Sequence, residues 1–273
     1  MADLRGKTIF ITGASRGIGR EIALRCARDG AQVVITGKTA EAHAKLPGTI
    51  HSVAAEVEQA GGRALAIQLD VRDELALQAA VEQAAQHFGG IDVLVNNASA
   101  INLTGTLDTP VRRLDLMWEV NMRATFLSSQ ACIPHLKKSA NPHILTLSPP
   151  LNLDAKWMAP HVAYSISKYG MSLCALGMAR EFSSDGIAVN CLWPRTTIAT
   201  SAIEFNFPAE ILHASRKPSI VADAAYQILT RDSRTCSGNF FLDEQVLREA
   251  GVGDFEPYAV MPGVPLFNDL FLD

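Results

Sequence analysis

The chain has 273 residues, a formal net charge of −4, 48% hydrophobic residues and 19% charged ones. That composition supplies a sizeable core for one α/β domain, and the absence of any basic stripe argues against a nucleic-acid surface. Five cysteines (Cys26, Cys132, Cys174, Cys191 and Cys236) stand far apart, with no CxxC or Cys/His cluster; this speaks for free thiols in a reducing compartment and against a disulfide framework or a metal site.

Apolar runs of strand length alternate with longer helical patterns along the chain. Residues 8–12 read as a first strand, and 17–29 as a helix with Ile18, Ile22, Ala23 and Cys26 on one face. Further strands are predicted at 32–36, 64–69, 91–95, 143–147, 187–191 and 239–242. Helical patterns fill the intervals near 51–60, 74–88, 110–138, 160–183 and 220–230. The strands are continuously apolar, so both faces of the sheet are expected to be buried. Strand–helix alternation implies right-handed crossovers and a doubly wound, seven-stranded, mostly parallel sheet within a single α/β domain spanning 1–273. An eight-stranded barrel is the competing arrangement. Residues 37–48 form a long turn holding Lys38, Lys45 and Pro47, and residues 246–273 are expected to wrap the domain as an ordered C-terminal arm, with Pro257, Pro262 and Pro265 among aromatics. No signal peptide pattern precedes the first strand, and no apolar run approaches the roughly 18 residues of a membrane span. A cytoplasmic protein with no membrane span is expected.

Thr12-Gly13-Ala14-Ser15-Arg16-Gly17-Ile18-Gly19 follows the first strand and opens a helix. In that context Gly13 permits a sharp turn, Gly17 lets the backbone approach a pyrophosphate, and Gly19 lets the helix pack closely. The helix N-terminus then offers unpaired N–H groups to phosphates. This favours the open sheet, a Rossmann fold, over the barrel. The second strand ends at Gly37 and Lys38, where an NAD-binding protein usually has an acid on the ribose 2′-hydroxyl. A cation about 4 Å from a 2′-phosphate contributes up to ~4 kcal/mol of raw Coulomb energy at moderate screening. NADP(H) is therefore the predicted cofactor, with a pair of solvated loop cations as the alternative for Lys38 and Arg16. Farther on, Tyr164 and Lys168 stand at i and i+4 of a predicted helix and share one face. A nearby ammonium favours a phenolate, which suits Tyr164 to acid–base work on a carbonyl or an alcohol.

Together these motifs resemble the short-chain dehydrogenase/reductase family, over roughly residues 5–245. Asp70-Val71 after the third strand and Asn96-Asn97-Ala98 at the end of the fourth strengthen the likeness. The resemblance implies an oxidoreductase that interconverts a carbonyl and a secondary alcohol. Its catalytic set would be Tyr164, Lys168, Asn121 and Ser148. Asn121 would hold a water that relays protons to Lys168, with a buried helix-kinking asparagine as its alternative, and Ser148 would polarise the substrate carbonyl. Its cofactor set would be Gly13, Ser15, Arg16, Gly17, Ile18, Gly19, Lys38, Asp70, Val71, Asn97, Ala98, Tyr164, Lys168, Pro194 and Ile198. Within it Arg16 lies near the adenosine ribose, Asp70 meets the adenine, Lys168 holds the nicotinamide ribose and the Ile198 backbone meets the carboxamide. No metal is implied. A homodimer or homotetramer through the 110–138 and 160–183 helices is implied too; Ala124, Ala131, Ala175 and Gly177 suit close helix approach, or equally packing on the sheet.

Several positions depart from the family pattern. Pro149 falls on the usual catalytic serine, leaving Ser148 one place early; a mere strand-end hydroxyl is its alternative role. The segment Ser148-Pro149-Pro150-Leu151-Asn152-Leu153 is unusual for the family, Ser99 and Arg195 replace customary glycines, and Asp243-Glu244 replaces glycines after the last strand. Trp157, Met158, Trp193, Phe205 and Phe207 suggest an apolar, lipid- or sterol-like substrate, or else packing beneath a lid. The competing functional reading is a dinucleotide-binding regulatory or lipid-binding protein with weak or no turnover.

Overall fold

All seven strands form and pair in parallel. They are β1 (Thr8–Ile11), β2 (Gln32–Gly37), β3 (Arg63–Gln68), β4 (Val93–Asn96), β5 (His143–Thr146), β6 (Ala188–Trp193) and β7 (Phe240–Leu242), in the order β3-β2-β1-β4-β5-β6-β7. The structure, a computed structural model, describes residues 3–42 and 47–273, so Lys45 of the long turn lies outside the described residues. Side chains of β1 alternate between two cores: Ile9 and Ile11 join Val33 and Ile35 on one face, and Phe10 joins Val34 and Leu94 on the other. Both faces are dry, which is why these strands carry no polar alternation.

Eleven α-helices are seen among the described residues: α1 (Gly17–Ala27), α2 (Ile50–Gln59), α3 (Glu74–Phe88), α4 (Val111–Met117), α5 (Ala124–Leu136), α6 (Ala155–Met158), α7 (Val162–Glu181), α8 (Ser201–Asn206), α9 (Ala209–His213), α10 (Ser219–Leu229) and α11 (Asp243–Glu249). Helices α1, α2 and α10 cover the face holding Ile9, and α3, α5 and α7 the face holding Phe10. The chain reverses its direction of winding between β1 and β4, and in such sheets the crevice opens at the carboxyl ends of those strands. None of the described helices is long and apolar enough to cross a membrane.

Two expectations are corrected. The single helix over 110–138 is broken: α4 and α5 are joined by a π-helical turn, Trp118–Arg123, whose wider winding accommodates Asn121. Such turns occur mostly as single-turn bulges within α-helices, frequently at functional sites. Farther on, α11 takes up the first residues of the expected arm, so irregular chain begins only at Ala250. The end of that chain is deeply seated. Phe271 is buried among Trp157, His161, Tyr164, Tyr169 and Trp193. It is also the one non-glycine among the described residues with a left-handed backbone, at φ 72°. That conformation costs about 1–2 kcal/mol, which the burial of a full aromatic ring offsets.

Candidate active site

The glycine loop is clamped from the neighbouring strand. Asn97 donates its side-chain amide to the carbonyls of Thr12 and Gly13, both at 2.9 Å, and the N–H groups of Asn97 and Ala98 donate to Thr12 Oγ1 at 3.0 and 3.1 Å. The approach is so close that a Cβ on Gly13, which sits at φ +68°, would lie 2.9 Å from Ala98 Cα. One on Gly19 would lie 2.5 Å from the Asn97 amide. Only glycine fits either place. Helix α1 begins directly after this turn, with no side-chain cap at Arg16 and no acid in its first turn. Its leading N–H groups are thus left for an anion.

A cleft lined by Gly13, Ser15, Arg16, Gly17 and Ile18 runs from there to Gly37, Lys38, Asp70 and Val71 at the carboxyl ends of β2 and β3. Arg16 is held along its far end: Nη2 donates to Thr39 Oγ1 at 3.0 Å and Nε to Pro47 O at 3.1 Å. Lys38 Nζ lies 3.2 Å from Asp70 Oδ2. Arg72, which the sequence reading missed, grips the same carboxylate through both oxygens, Nε to Oδ1 at 3.0 Å and Nη2 to Oδ2 at 2.6 Å. That grip, aided by Lys38, holds the Asp70 carboxyl well below the usual carboxylate range. Among the described residues three cations, Arg16, Lys38 and Arg72, therefore surround this end of the cleft, with one carboxylate among them.

At its other end the cleft continues into a cavity that shares Ile18, Asn97 and Thr200 with it and is lined by Tyr164, Lys168, Pro194 and Ile198. Tyr164 and Lys168 lie one turn apart on α7 and are almost wholly buried. Lys168 Nζ donates to Leu147 O at 2.9 Å and stands 5.2 Å above the Trp193 ring. Burial pulls this ammonium down to about 8, opposed by Asp269 and Cys191. Burial, with Asp269 adding, pushes the Tyr164 phenol above its ordinary value. The phenol is thus not lowered by its lysine, as the sequence had suggested: burial keeps Tyr164 in its protonated form. The Tyr164 hydroxyl has no hydrogen-bond partner among the described residues.

Asn121 is fully buried in its π turn, and its amide is committed to protein. Oδ1 accepts from Ala100 N at 2.7 Å, and Nδ2 donates to Ala100 O at 3.0 Å and to Ser167 Oγ at 2.9 Å. Ser167 in turn donates to Tyr164 O. Asn121 thus ties the loop after β4 to the turn of α7 that carries the tyrosine. Ser148 is the expectation that the geometry does not bear out. Its hydroxyl is fully buried and donates to Cys191 Sγ at 3.2 Å on β6, away from the cavity wall. The following Pro149 has no N–H to offer in its stead, and its carbonyl is taken by Ser172 Oγ at 2.6 Å.

Ile198 sits on a short bridge with Arg216 in which the hydrogen bonds are made by Thr197 O and Ala199 N, which leaves the N–H and C=O of Ile198 itself for a ligand. Asp243, standing where glycine was customary, accepts from Arg195 N at 2.8 Å and fastens the loop after β6 to the head of α11. Of the aromatics singled out, Trp157 and Trp193 pack on Tyr164 and Phe271, Phe207 lines the cavity, and Phe205 is exposed. The sequence reading also missed Asp269 in the cavity wall. A single acid within the apolar stretch Leu266-Phe267-Asn268-Asp269-Leu270-Phe271 was the signal available. Among the described residues no group of three or more His, Cys, Asp or Glu side chains is arranged for a metal ion.

Comparison with known proteins agrees with this geometry. Residues 7–207 match the short chain dehydrogenase family. Hydroxysteroid dehydrogenase-like protein 2 of Danio rerio is 58% identical over 270 residues, covering 99% of this chain and 65% of the relative; the Homo sapiens protein of that name is 56% identical, covering 99% and 64%. The chain therefore spans a little under two thirds of the length of these relatives. A short chain dehydrogenase from Mycobacterium thermoresistibile superimposes with a TM-score of 0.94 at 52% identity, over 99% of this chain and 96% of that one. A hydroxysteroid dehydrogenase from Escherichia coli gives 0.74 at 30% identity, over 88% and 96%.

Proposed function

The chain belongs to the short-chain dehydrogenase family of oxidoreductases, and on that premise we propose that it interconverts a carbonyl and a secondary alcohol with NADP(H). The observation that carries this reading is the pairing of Tyr164 and Lys168 on one face of α7, in a cavity continuous with the glycine-loop cleft. Gly13 and Gly19, which have no room for a Cβ, and the uncapped start of α1 fit a dinucleotide pyrophosphate. Gly37 in place of an acid, with Lys38, Arg16 and Thr39 beside it, fits a 2′-phosphate. The backbone of Ile198 and the ammonium of Lys168 would hold the nicotinamide half.

When bound, the nicotinamide ring supplies or accepts the hydride. The chain's own part is proton transfer and orientation. The Tyr164 hydroxyl, protonated in its buried setting, gives its proton to the carbonyl oxygen in reduction; in oxidation its phenolate takes one from the alcohol. Lys168 stabilises the phenolate left behind and restores its proton. Asn121, through Ser167 and Ala100, holds the tyrosine turn in register with the loop after β4. Leu147, Trp193, Ile198 and Phe207 give the cavity apolar walls, which favours a lipid- or sterol-like substrate; the names of the relatives accord with that. The exposed apolar residues Phe126, Leu173 and Leu176 on α5 and α7 support a homo-oligomer through this face. The cysteines, all free and four of them buried, are in keeping with a cytoplasmic setting.

A second reading, a dinucleotide-binding protein with little turnover, is favoured by the Ser148 hydroxyl turned to Cys191. One experiment separates the two. The fluorescence of NADPH and NADH is titrated with the protein, and lipid, sterol and small carbonyls are then offered with saturating NADPH. NADPH binding at least about tenfold tighter than NADH, with turnover of an apolar carbonyl, is expected. Tight NADPH binding without oxidation on any carbonyl would replace the enzyme by the binder.

A further inference from the structure

The C-terminal arm carries an acid into the cavity of the catalytic pair. Phe267 O accepts from Thr197 N at 2.9 Å, Asn268 bridges Thr196, Asp269 N donates to Arg195 O at 3.1 Å, and Leu270 O accepts from Trp193 Nε1 at 3.0 Å. The arm thus lies like an added strand on the loop after β6. Beyond it Phe271 fills the aromatic box, and the Asp273 carboxylate pairs with Lys156 and accepts from Asn152. This anchoring on both sides fixes Asp269 in the wall lined by Tyr164 and Lys168. Its Oδ1 accepts from Leu270 N at 2.7 Å; Oδ2 has no hydrogen-bond partner among the described residues.

Lys168 needs such a group. Its ammonium is buried, and its contacts are one carbonyl, Leu147 O, the Met171 sulfur at 3.7 Å and the face of Trp193. No carboxylate among the described residues lies within 4 Å of it. An uncompensated buried ammonium sheds its proton readily. We propose that Asp269 is the counter-charge of Lys168, a positioning residue through which the docked C-terminal arm keeps the catalytic lysine protonated. The inference rests on Lys168 being part of the working site. The titratable groups around Asp269 are Lys168 and Tyr164 from α7 and Asp243 at the head of α11; Cys191 from β6 stands beside Lys168, and Arg216 and Glu244 beside Asp243. Burial, with Asp243 adding and Lys168 opposing, pushes the Asp269 carboxyl up to about 7, so its charge appears as pH rises through neutrality. Above that point it holds the lysine proton to higher pH.

The test reads Lys168 itself, without turnover. The protein is labelled with 13C at the lysine ε-carbons and titrated by NMR, with Lys168→Met identifying the resonance. Asp269→Asn is expected to lower the Lys168 midpoint by about one pH unit, and Asp269→Glu to return it toward the starting value. In the unaltered protein the same resonance should carry a second, smaller inflection near pH 7, where Asp269 ionises. An unchanged midpoint in Asp269→Asn overturns the proposal. Should that variant fail to fold, the inflection decides alone: its presence supports the proposal and its absence overturns it. Because no substrate enters the experiment, absent carbonyl turnover would refute the oxidoreductase reading and leave this result standing.

Discussion

Tyr164→Phe removes one oxygen and almost nothing else. The ring lies 6.2 Å from Phe271 in a stacked arrangement and 5.8 Å edge-on from His161, and phenylalanine keeps both contacts. General-acid removal is worth about 10²–10⁴ in rate, or roughly 2.7–5.4 kcal/mol of barrier. Stability should hardly move. The hydroxyl has no protein partner among the described residues and Tyr164 lines the cavity, so its loss breaks no tie within the fold, and a change within about 0.5 kcal/mol, or a Tm within about 2 °C, is expected. Initial rates with saturating NADPH and a carbonyl that the unaltered enzyme reduces, alongside calorimetric melting, test both halves. A rate within tenfold of the unaltered enzyme would remove Tyr164 from proton transfer. A fall in Tm of several degrees would show instead that the hydroxyl is a structural tie.

Lys38→Ala should raise the NADPH dissociation constant about tenfold, or ~1.4 kcal/mol, and the NADH constant by less than about twofold; equal effects in a fluorescence titration would refute a 2′-phosphate role. Phe271→Ala empties the aromatic box that seats the C-terminal arm. A loss of about 3 kcal/mol of docking energy should speed amide hydrogen exchange in residues 264–273 about 100-fold while β1 to β5 stay protected. Unchanged exchange in the arm would show that its backbone bonds to the loop after β6 suffice.

Much of the site was legible as local pattern. The clamped turn at Gly13 could be foreseen because a positive φ and a close backbone approach leave only glycine, and that requirement is written at the residue itself. Tyr164 and Lys168 could be paired because helical geometry brings i and i+4 together whatever surrounds them. The parallel sheet followed from apolar runs buried on both faces and alternating with helices, whereas the order of its strands is a property of the folded chain. Other features escaped because they depend on which segments meet. The direction of the Ser148 hydroxyl was settled by the sulfur of Cys191 on the adjacent strand, which no spacing in the chain announces. The π turn at Asn121 answered to Ala100 and Ser167, residues brought in from two other parts of the chain.

The chain order of residues was therefore sufficient for the sheet, the glycine cradle and the tyrosine–lysine pair, since periodicity and allowed dihedrals act over a few residues. The protonation of that pair was decided only in three dimensions. Desolvation and the field of Asp269 depend on distance through space, and the arm that carries this acid returns to the cavity from the far end of the chain.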